Sequence, residues 1–354
     1  MKPDDILQAA IKGMFHVLIV DNSGVGRINL IRHILAQSRV PAVVFDLVDG
    51  YRGFVDYYGI YPINPFEFMG PDMFIDILIE VANVKDPAVG DVLETIFEMA
   101  AIIDEHGNEF YSIPDTIRWL YTRGPKYFKD PDKQDKFRNA RTLLSKLANN
   151  ILFSRQTHPA LKDWLDGKTN TQIGIRLVGF KSEQIRLYVN TLLKIISLYG
   201  GRTSGEYLVI LDGDPQYFTD TLIKLSPFIT YLSKSYGLRL IVSTQDIPED
   251  LRSHFNIIVD FNKGREPGKA LVEIYPGSMR KSVNVSEINE ESVVKDYLEV
   301  ELGSIDNLKR SGVDWFTCLS KAGLNESALI KGSRRTYRDL INYKVLWDCL
   351  SGET

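Results

Sequence analysis

The sequence predicts an α/β fold: a parallel sheet flanked by helices, with a large helical insertion and a small C-terminal helical segment. Short apolar, largely β-branched runs recur at Val17–Val20, Pro41–Asp46, Leu208–Leu211, Leu238–Gln245 and Asn256–Phe261. Such continuous apolar character suits strands covered on both faces. The first two runs are separated by one helix-spaced segment, a βαβ unit, which implies parallel pairing. Between the second run and the later ones, apolar residues recur at helical spacing.

The stretch around the first run organises the chain. Val17–Val20 is followed by a turn rich in Gly, Asn and Ser, and then by Leu30, Ile31, Ile34 and Leu35 at helical spacing. Strand, Gly-rich turn, helix is the architecture of a phosphate-binding loop, whose backbone N–H groups and helix N-terminus wrap phosphates. The full pattern is G-x-x-x-x-G-K-[ST]. Here the eight positions read Asp21-Asn22-Ser23-Gly24-Val25-Gly26-Arg27-Ile28. Gly26 keeps the second glycine. Asp21 puts a carboxylate where phosphate would approach, Arg27 replaces the compact lysine with a bulkier cation, and Ile28 cannot ligate Mg²⁺. Ser23, Gly24, Val25, Gly26, Arg27 and Ile28 are the candidate cofactor-binding residues. An ordinary βα turn in a Rossmann-like sheet is the alternative reading of this stretch.

In chain order, Asp4–Met14 reads as an amphipathic helix leading into the first strand. Asp49–Gly53 and Tyr61–Pro65 read as loops. From about Met73 to Asn150 the pattern is mainly helical, with stripes at Phe74, Ile75, Leu78 and Ile79 and at Val92, Ile96 and Phe97. Within it, Arg118 to Lys146 holds nine Lys/Arg against three Asp, interleaved with Trp119, Tyr121, Tyr127, Phe128 and Phe137. Cations on phosphates and rings on bases suit nucleic-acid contact, and Arg118, Arg123, Lys126 and Lys129 are the candidates. The bland alternative is a solvated helix face whose aromatics pack inward.

Thr171–Gly179 returns to strand character, and Ser182–Tyr199 is a long helix. Leu208–Leu211 ends in Asp212, the form of a Walker B strand whose carboxylate holds Mg²⁺ directly or through water. Gly213 stands where a catalytic Glu is usual, and Asp214 follows it. A capping carboxylate is the alternative role for Asp212. Phe218–Tyr236 reads as helix, and Ala270–Tyr275 as an edge strand after which Pro276-Gly277 turns the chain out of the sheet.

Taken together, these blocks resemble the HerA/FtsK superfamily of P-loop ATPases: DNA translocases, conjugation ATPases and viral genome-packaging ATPases. The resemblance runs from about Val17 to about Phe261. It covers the loop Asp21–Ile28, Tyr51-Arg-Gly53, Ile63-Asn-Pro65, a helical insertion, Leu208–Asp214, Ser243-Thr244-Gln245 and Asp246–Leu251. It implies a RecA-like P-loop NTPase sheet, ATP and Mg²⁺ as cofactors, DNA as partner, and assembly as a homo-oligomer or with a partner ATPase or nuclease. It further implies that Gln245 reads the γ-phosphate. With Asp212 as the metal-holding carboxylate, Asp214 is the candidate to substitute in part for the missing Glu if the strand end is shifted by a residue. These three are the candidate catalytic residues. The family places basic residues on the helix after Walker B, where only Lys234 is available. The N-terminal β-barrel of some HerA proteins is expected to be absent, since the loop begins near residue 21.

The organisation expected is a P-loop NTPase-like domain over 1–280, with the insertion at about 65–170, and a C-terminal helical region over 281–354. Between Ile305 and Val345 there are eight Lys/Arg and four Asp/Glu. A helix-turn-helix there would place Lys331, Arg334, Arg335 and Arg338 on phosphates; a helical lid or oligomer contact is the other reading. Over its 354 residues the chain carries a net charge of −4, which argues against a positively coated molecule and leaves local basic patches open. Two distant cysteines form no metal spacing or disulfide framework, which suits a reducing cytoplasm. No apolar run approaches the length of a membrane span.

Three functions compete. One is an active ATP-driven DNA motor. The second keeps that fold but is impaired in hydrolysis and serves as a DNA-binding or structural subunit. The third is an unrelated Rossmann-like enzyme, and it lacks G-x-G-x-x-G in the right context. The four altered positions, Asp21, Arg27, Ile28 and Gly213, favour the second.

Overall fold

In the structure, a computed structural model, the described residues are 2–13, 15–38, 40–103, 107–129, 131–147, 150–199, 206–224, 237–246, 252–264, 266, 268–275, 279–285, 298–301 and 315–321. The chain divides into two compact units. One comprises Met1–Ile60, Pro159–Gly179 and Gly200–Thr354; the other comprises Tyr61–His158 and Phe180–Tyr199.

The first unit is built on strands β1 (Val17–Val20), β2 (Ala42–Asp46), β3 (Tyr57–Ile60), β6 (Gln172–Arg176), β7 (Tyr207–Asp212), β8 (Leu238–Thr244), β9 (Ile257–Asp260), β10 (Lys269–Ile274), β11 (Met279–Asn284) and β12 (Leu298–Glu301). They form one sheet in the order β11-β10-β9-β1-β8-β7-β2-β6-β3-β12. From β9 to β12 every pairing is parallel; β10 runs antiparallel to both β9 and β11. The apolar runs β1 and β7 are therefore both central, as their sequences require. The register aligns Asp46 with Asp212 and Asp212 with Ser243, and Val20 with Thr244. Polar side chains thus collect in adjoining rows at the carboxyl ends of four neighbouring strands.

Helices α1 (Pro3–Gly13), α2 (Val25–Gln37) and α8 (Pro159–Leu165) belong to the same unit. The core joins Ile6 and Ala10 of α1 and Leu30, Ile31, Ile34 and Leu35 of α2 to Val17, Ile19, Val44, Ile210, Ile241 and Val259 of the sheet. All of these are essentially solvent-free. Each such side chain contributes roughly 1.5–3 kcal/mol by leaving water, so α2 is held firmly behind the loop that precedes it.

Three expectations change here. Ala270–Tyr275 is not the edge: β11 pairs with β10 and takes that place. The sequence Met279–Asn284 is mostly exposed, so it lacks the apolar run that marks a buried strand. The sheet also runs past residue 280, since β11 and β12 both belong to it. Cys318, buried on α10 (Trp315–Lys321), is disulfide-bonded, where residue spacing had suggested no crosslink. Spatial proximity, which makes a disulfide, is not legible from separation along the chain.

The second unit contains α3 (Pro71–Val81), α4 (Ala88–Ala100), α5 (Ile113–Thr122), α6 (Gly124–Tyr127), α7 (Pro131–Ser145) and α9 (Ser182–Tyr199), with a two-residue ladder between β4 (Ile102–Ile103) and β5 (Glu109–Phe110). Phe74 is edge-on to Phe66, Phe97 and Phe153, with ring centroids 5.4–6.0 Å apart. Asn64 is a structural staple in this unit. Its side-chain amide donates to the carbonyls of Tyr111 and Arg155 at 3.0 and 2.9 Å, and its oxygen caps the turn at Phe66 N. Among the described residues no helix is long and apolar enough to cross a membrane.

Candidate functional site

The candidate site lies in the first unit, where β1, β2, β7 and β8 end. The loop after β1 turns at Gly24, whose φ of 80° is open to glycine at little cost, and α2 begins at Val25. The side chain that caps α2 comes from Asp21. Its Oδ1 accepts from Ser23 N and Ser23 Oγ at 2.8 and 2.7 Å, and its Oδ2 accepts from Gly26 N and Arg27 N at 2.8 and 3.1 Å. The carboxylate therefore sits in the backbone cradle. Burial alone would raise its pKa, but the hydrogen bonds from Ser23, Arg27 and Gly26 hold it below the ordinary carboxylate value.

Phe261 closes the loop from the β9 side. Its backbone N–H donates to Val20 O at 2.8 Å, and a Cβ on Gly26 would stand 2.5 Å from its ring. Gly26 is thus required by close packing. Ile28 turns to the core and packs near Gly50. Val25 is 63% exposed and contributes no donor side chain.

Arg27 is buried and folds back beneath the loop. Its Nε lies 3.6 Å from Asp212 Oδ1, and neither Nε nor Nη1 has a hydrogen-bond partner among the described residues. Asp212 is fully buried. Its Oδ1 accepts from Ser243 Oγ at 2.6 Å and its Oδ2 from Tyr51 Oη at 2.5 Å. Burial raises the Asp212 pKa, against the opposing pull of Arg27, Ser243 and Tyr51. The Tyr51 phenol is itself pushed well above its usual value, by burial first and then by the Asp212 and Asp46 charges. Tyr51 stays protonated and acts only as a donor here.

A second strand-end carboxylate, Asp46, organises the neighbouring loop. It accepts from the backbone N–H groups of Val48, Gly50 and Tyr51 and from Tyr58 Oη. This holds Tyr51 at the right height to reach Asp212. None of Tyr51, Ser243, Asp46 and Tyr58 is given a site role by the sequence, although Tyr51 and Ser243 lie in the blocks that carry the resemblance. Asp46 does carry a signal that could have found it, since it ends an apolar strand as Asp212 does.

The remaining candidates take no part in these side-chain hydrogen bonds. Asp214 is exposed and caps its own turn, accepting from Gln216 N at 3.0 Å and Gln216 Nε2 at 2.8 Å. Gln245 follows β8 with an exposed side chain. Gly213 packs against Leu47, where a Cβ would stand 2.7 Å from Leu47 Cβ. Lys234, Lys331, Arg334, Arg335 and Arg338 lie outside the described residues, as does the expected helix-turn-helix.

The basic stretch belongs to the second unit. Arg118, Arg123, Lys126 and Lys129 are all exposed. Arg118 pairs with Asp115 at 3.7 Å. Of the five aromatics, Trp119, Phe128 and Phe137 pack inward, while Tyr121 and Tyr127 stay 46% and 51% exposed. Arg141 stacks on the Tyr121 ring at 5.3 Å. The stretch is thus partly a packed helix surface and partly an exposed face of cations and two rings.

The donor set does not fit a bound Mg²⁺ ion. Both Asp212 oxygens are hydrogen-bonded, a guanidinium stands beside them, and position 28 offers no hydroxyl. It does not fit a nucleotide phosphate either while the Asp21 carboxylate holds the loop N–H groups.

No family model matches this chain, and no curated protein matches it. Solved structures do. VirB4 of Thermoanaerobacter pseudethanolicus aligns with a TM-score of 0.55 at 11% identity, covering 78% of this chain and 90% of that one. The plasmid coupling protein TrwB, in complex with a non-hydrolysable GTP analogue, aligns with a TM-score of 0.56 at 13% identity, covering 77% and 86%. TrwB bound to a non-hydrolysable ATP analogue aligns with a TM-score of 0.51 at 14% identity, covering 80% and 81%. The fold is the RecA-like P-loop fold of these solved structures.

Proposed function

We propose that this chain keeps the fold of a DNA-transport ATPase but is impaired in ATP hydrolysis, and that it serves as a DNA-binding or structural subunit. The observation that carries this reading is the enclosure of Asp212. Arg27 stands beside one of its oxygens, and Tyr51 and Ser243 occupy both. A buried carboxylate whose charge is already met by a guanidinium has little to gain from a hydrated divalent cation. Water activation fails separately. Gly213 carries no carboxylate, and the Asp214 carboxylate is engaged in its own turn. Metal-assisted charge stabilisation and nucleophile positioning are the main catalytic resources in phosphoryl transfer.

DNA enters as partner on two supports. Solved neighbours include a bacterial conjugative coupling protein, and the second unit carries an exposed basic face with two rings. Assembly with further copies, or with an active ATPase or nuclease, fits the same role.

The test is phosphate release from Mg²⁺–ATP by the purified chain, with and without DNA, beside DNA retention at graded salt. The expected result is retention without turnover. Turnover on the order of 1 s⁻¹ or faster, as for ordinary enzymes, would instead establish the alternative, an active ATP-driven translocase.

A further inference from the structure

We propose that a hollow in the second unit, framed by the ends of α3 and α7 and the start of α9, binds a short amphipathic carboxylate. The hydrocarbon stem lies on the apolar floor, and the carboxylate meets the lysines of the mouth. The site lies wholly in the second unit and is independent of how the Asp21–Ile28 loop or Asp212 is read.

The floor follows from helical spacing. Leu78 and Val81 lie three apart on α3, Leu143 and Leu147 lie four apart across the end of α7, and Leu187 comes from α9. Residues three and four apart share one helix face. All five are buried, and they frame a hollow of about 110 Å³. An apolar cavity of about 150 Å³ accepts benzene, so this one suits a stem of roughly four to six carbons. The floor offers water no polar partner. An apolar group that displaces such poorly held water gains affinity.

The mouth fixes the sign of the head group. Lys146 Nζ pairs with Glu183 Oε1 at 3.0 Å, tying the end of α7 to the first turn of α9. Both side chains stay well exposed, so the pair itself is worth little and gives way readily. Lys181 stands at the same rim, exposed, and its ammonium meets no carboxylate among the described residues. Lys146, Lys181 and Glu183 are the charged residues lining the hollow, so one positive charge is left over beside an apolar floor. The chain as a whole carries −4, so this sign is local to the mouth. A ligand carboxylate can accept charge-assisted hydrogen bonds from Lys181 and Lys146. An alcohol of the same stem forgoes that gain, and an ammonium is repelled.

The experiment is calorimetric titration of the full chain with hexanoate, 1-hexanol, hexylammonium and acetate at matched ionic strength. Hexanoate should saturate one site with a Kd on the order of 0.1–1 mM, as suits a ligand of so few atoms. Acetate, hexanol and hexylammonium should each bind about tenfold more weakly or not at all. Ala82 lines the hollow from a half-buried position. Ala82→Phe should therefore fill it and weaken hexanoate binding about tenfold or more, with circular dichroism verifying the fold. Lys181→Met, at an exposed position, should erase the preference for hexanoate over hexanol while hexanol still binds. That loss of head-group selectivity is a change that mere loosening of the helices would not produce. Absence of saturable hexanoate binding by the unaltered protein would overturn the proposal. So would hexanol or hexylammonium binding as tightly as hexanoate, or a selectivity unchanged in Lys181→Met whether or not Ala82→Phe folds. Turnover of Mg²⁺–ATP would defeat the proposed function without bearing on this readout.

Discussion

The Tyr51 hydroxyl donates to Asp212 Oδ2 at 2.5 Å, joining residues 161 positions apart in the chain. Both side chains are fully buried. Replacing Tyr51 by Phe removes the donor and leaves a buried carboxylate oxygen unmet. The expected loss is about 1–3 kcal/mol of unfolding free energy, read from urea denaturation at neutral pH.

Arg27 is the only side-chain cation that contacts Asp212 among the described residues. Arg27→Met should cost roughly 3–5 kcal/mol, because it strands a buried charge. Burial raises the folded-state pKa of Asp212, so the folded protein holds that proton more tightly than the unfolded chain. Relative to the unaltered protein, the loss in Arg27→Met should therefore be smallest in acid and grow as pH rises above the ordinary carboxylate value of 3.8. Adding Asp212→Asn should recover most of the loss. Denaturation curves across pH that show no such slope in Arg27→Met would contradict the pairing.

Restoring the ordinary motif is expected to fail at one position. Asp21→Gly, Arg27→Lys and Ile28→Thr change the loop alone, but a side chain at 213 meets Leu47 at 2.7 Å from its Cβ onward. Gly213→Glu added to the other three should lower the melting temperature below that of the triple variant, by overpacking worth about 1–3 kcal/mol. Phosphate-release assays should find no sustained turnover in either.

His16 and His158 make the fold sensitive to mild acid. Burial lowers the His16 pKa to about 4, with the Arg239 charge adding to it, and burial lowers that of His158 to about 3. An unfolded chain binds these protons near pH 6.5 and the folded chain does not, so stability falls as pH drops from 6.5 toward 4. The His16 contribution is roughly 3 kcal/mol in full. Urea midpoints between pH 8 and pH 5 should drop, and His16→Gln should flatten that slope.

Charge reversal at Arg123, Lys126 and Lys129 together should weaken DNA retention by the second unit's face without changing sequence preference. The slope of log affinity against log salt should fall by roughly 0.9 for each duplex phosphate that the face no longer neutralises. An unchanged slope would place DNA binding elsewhere on the chain.

What the sequence by itself determined is the framework: β1 and β7 as central parallel strands, the strand–loop–helix around Gly26, and a mainly helical insertion. Long apolar runs and helical spacing report burial directly, so these features survive without coordinates. Edge elements did not. Tyr57–Ile60, Met279–Asn284 and Leu298–Glu301 complete the sheet, yet two of them end it, and edge strands need no continuous apolar run. The site divides in the same way. The lost lysine, hydroxyl and glutamate could be read as absences from a pattern. Only the tertiary structure decided what fills their place: Asp21 in the cradle, Arg27 on Asp212, and Tyr51 and Ser243 closing that carboxylate. Those pairings join residues far apart in the chain, and hydrogen bonding is directional over a few ångströms, so no spacing along the sequence encodes them.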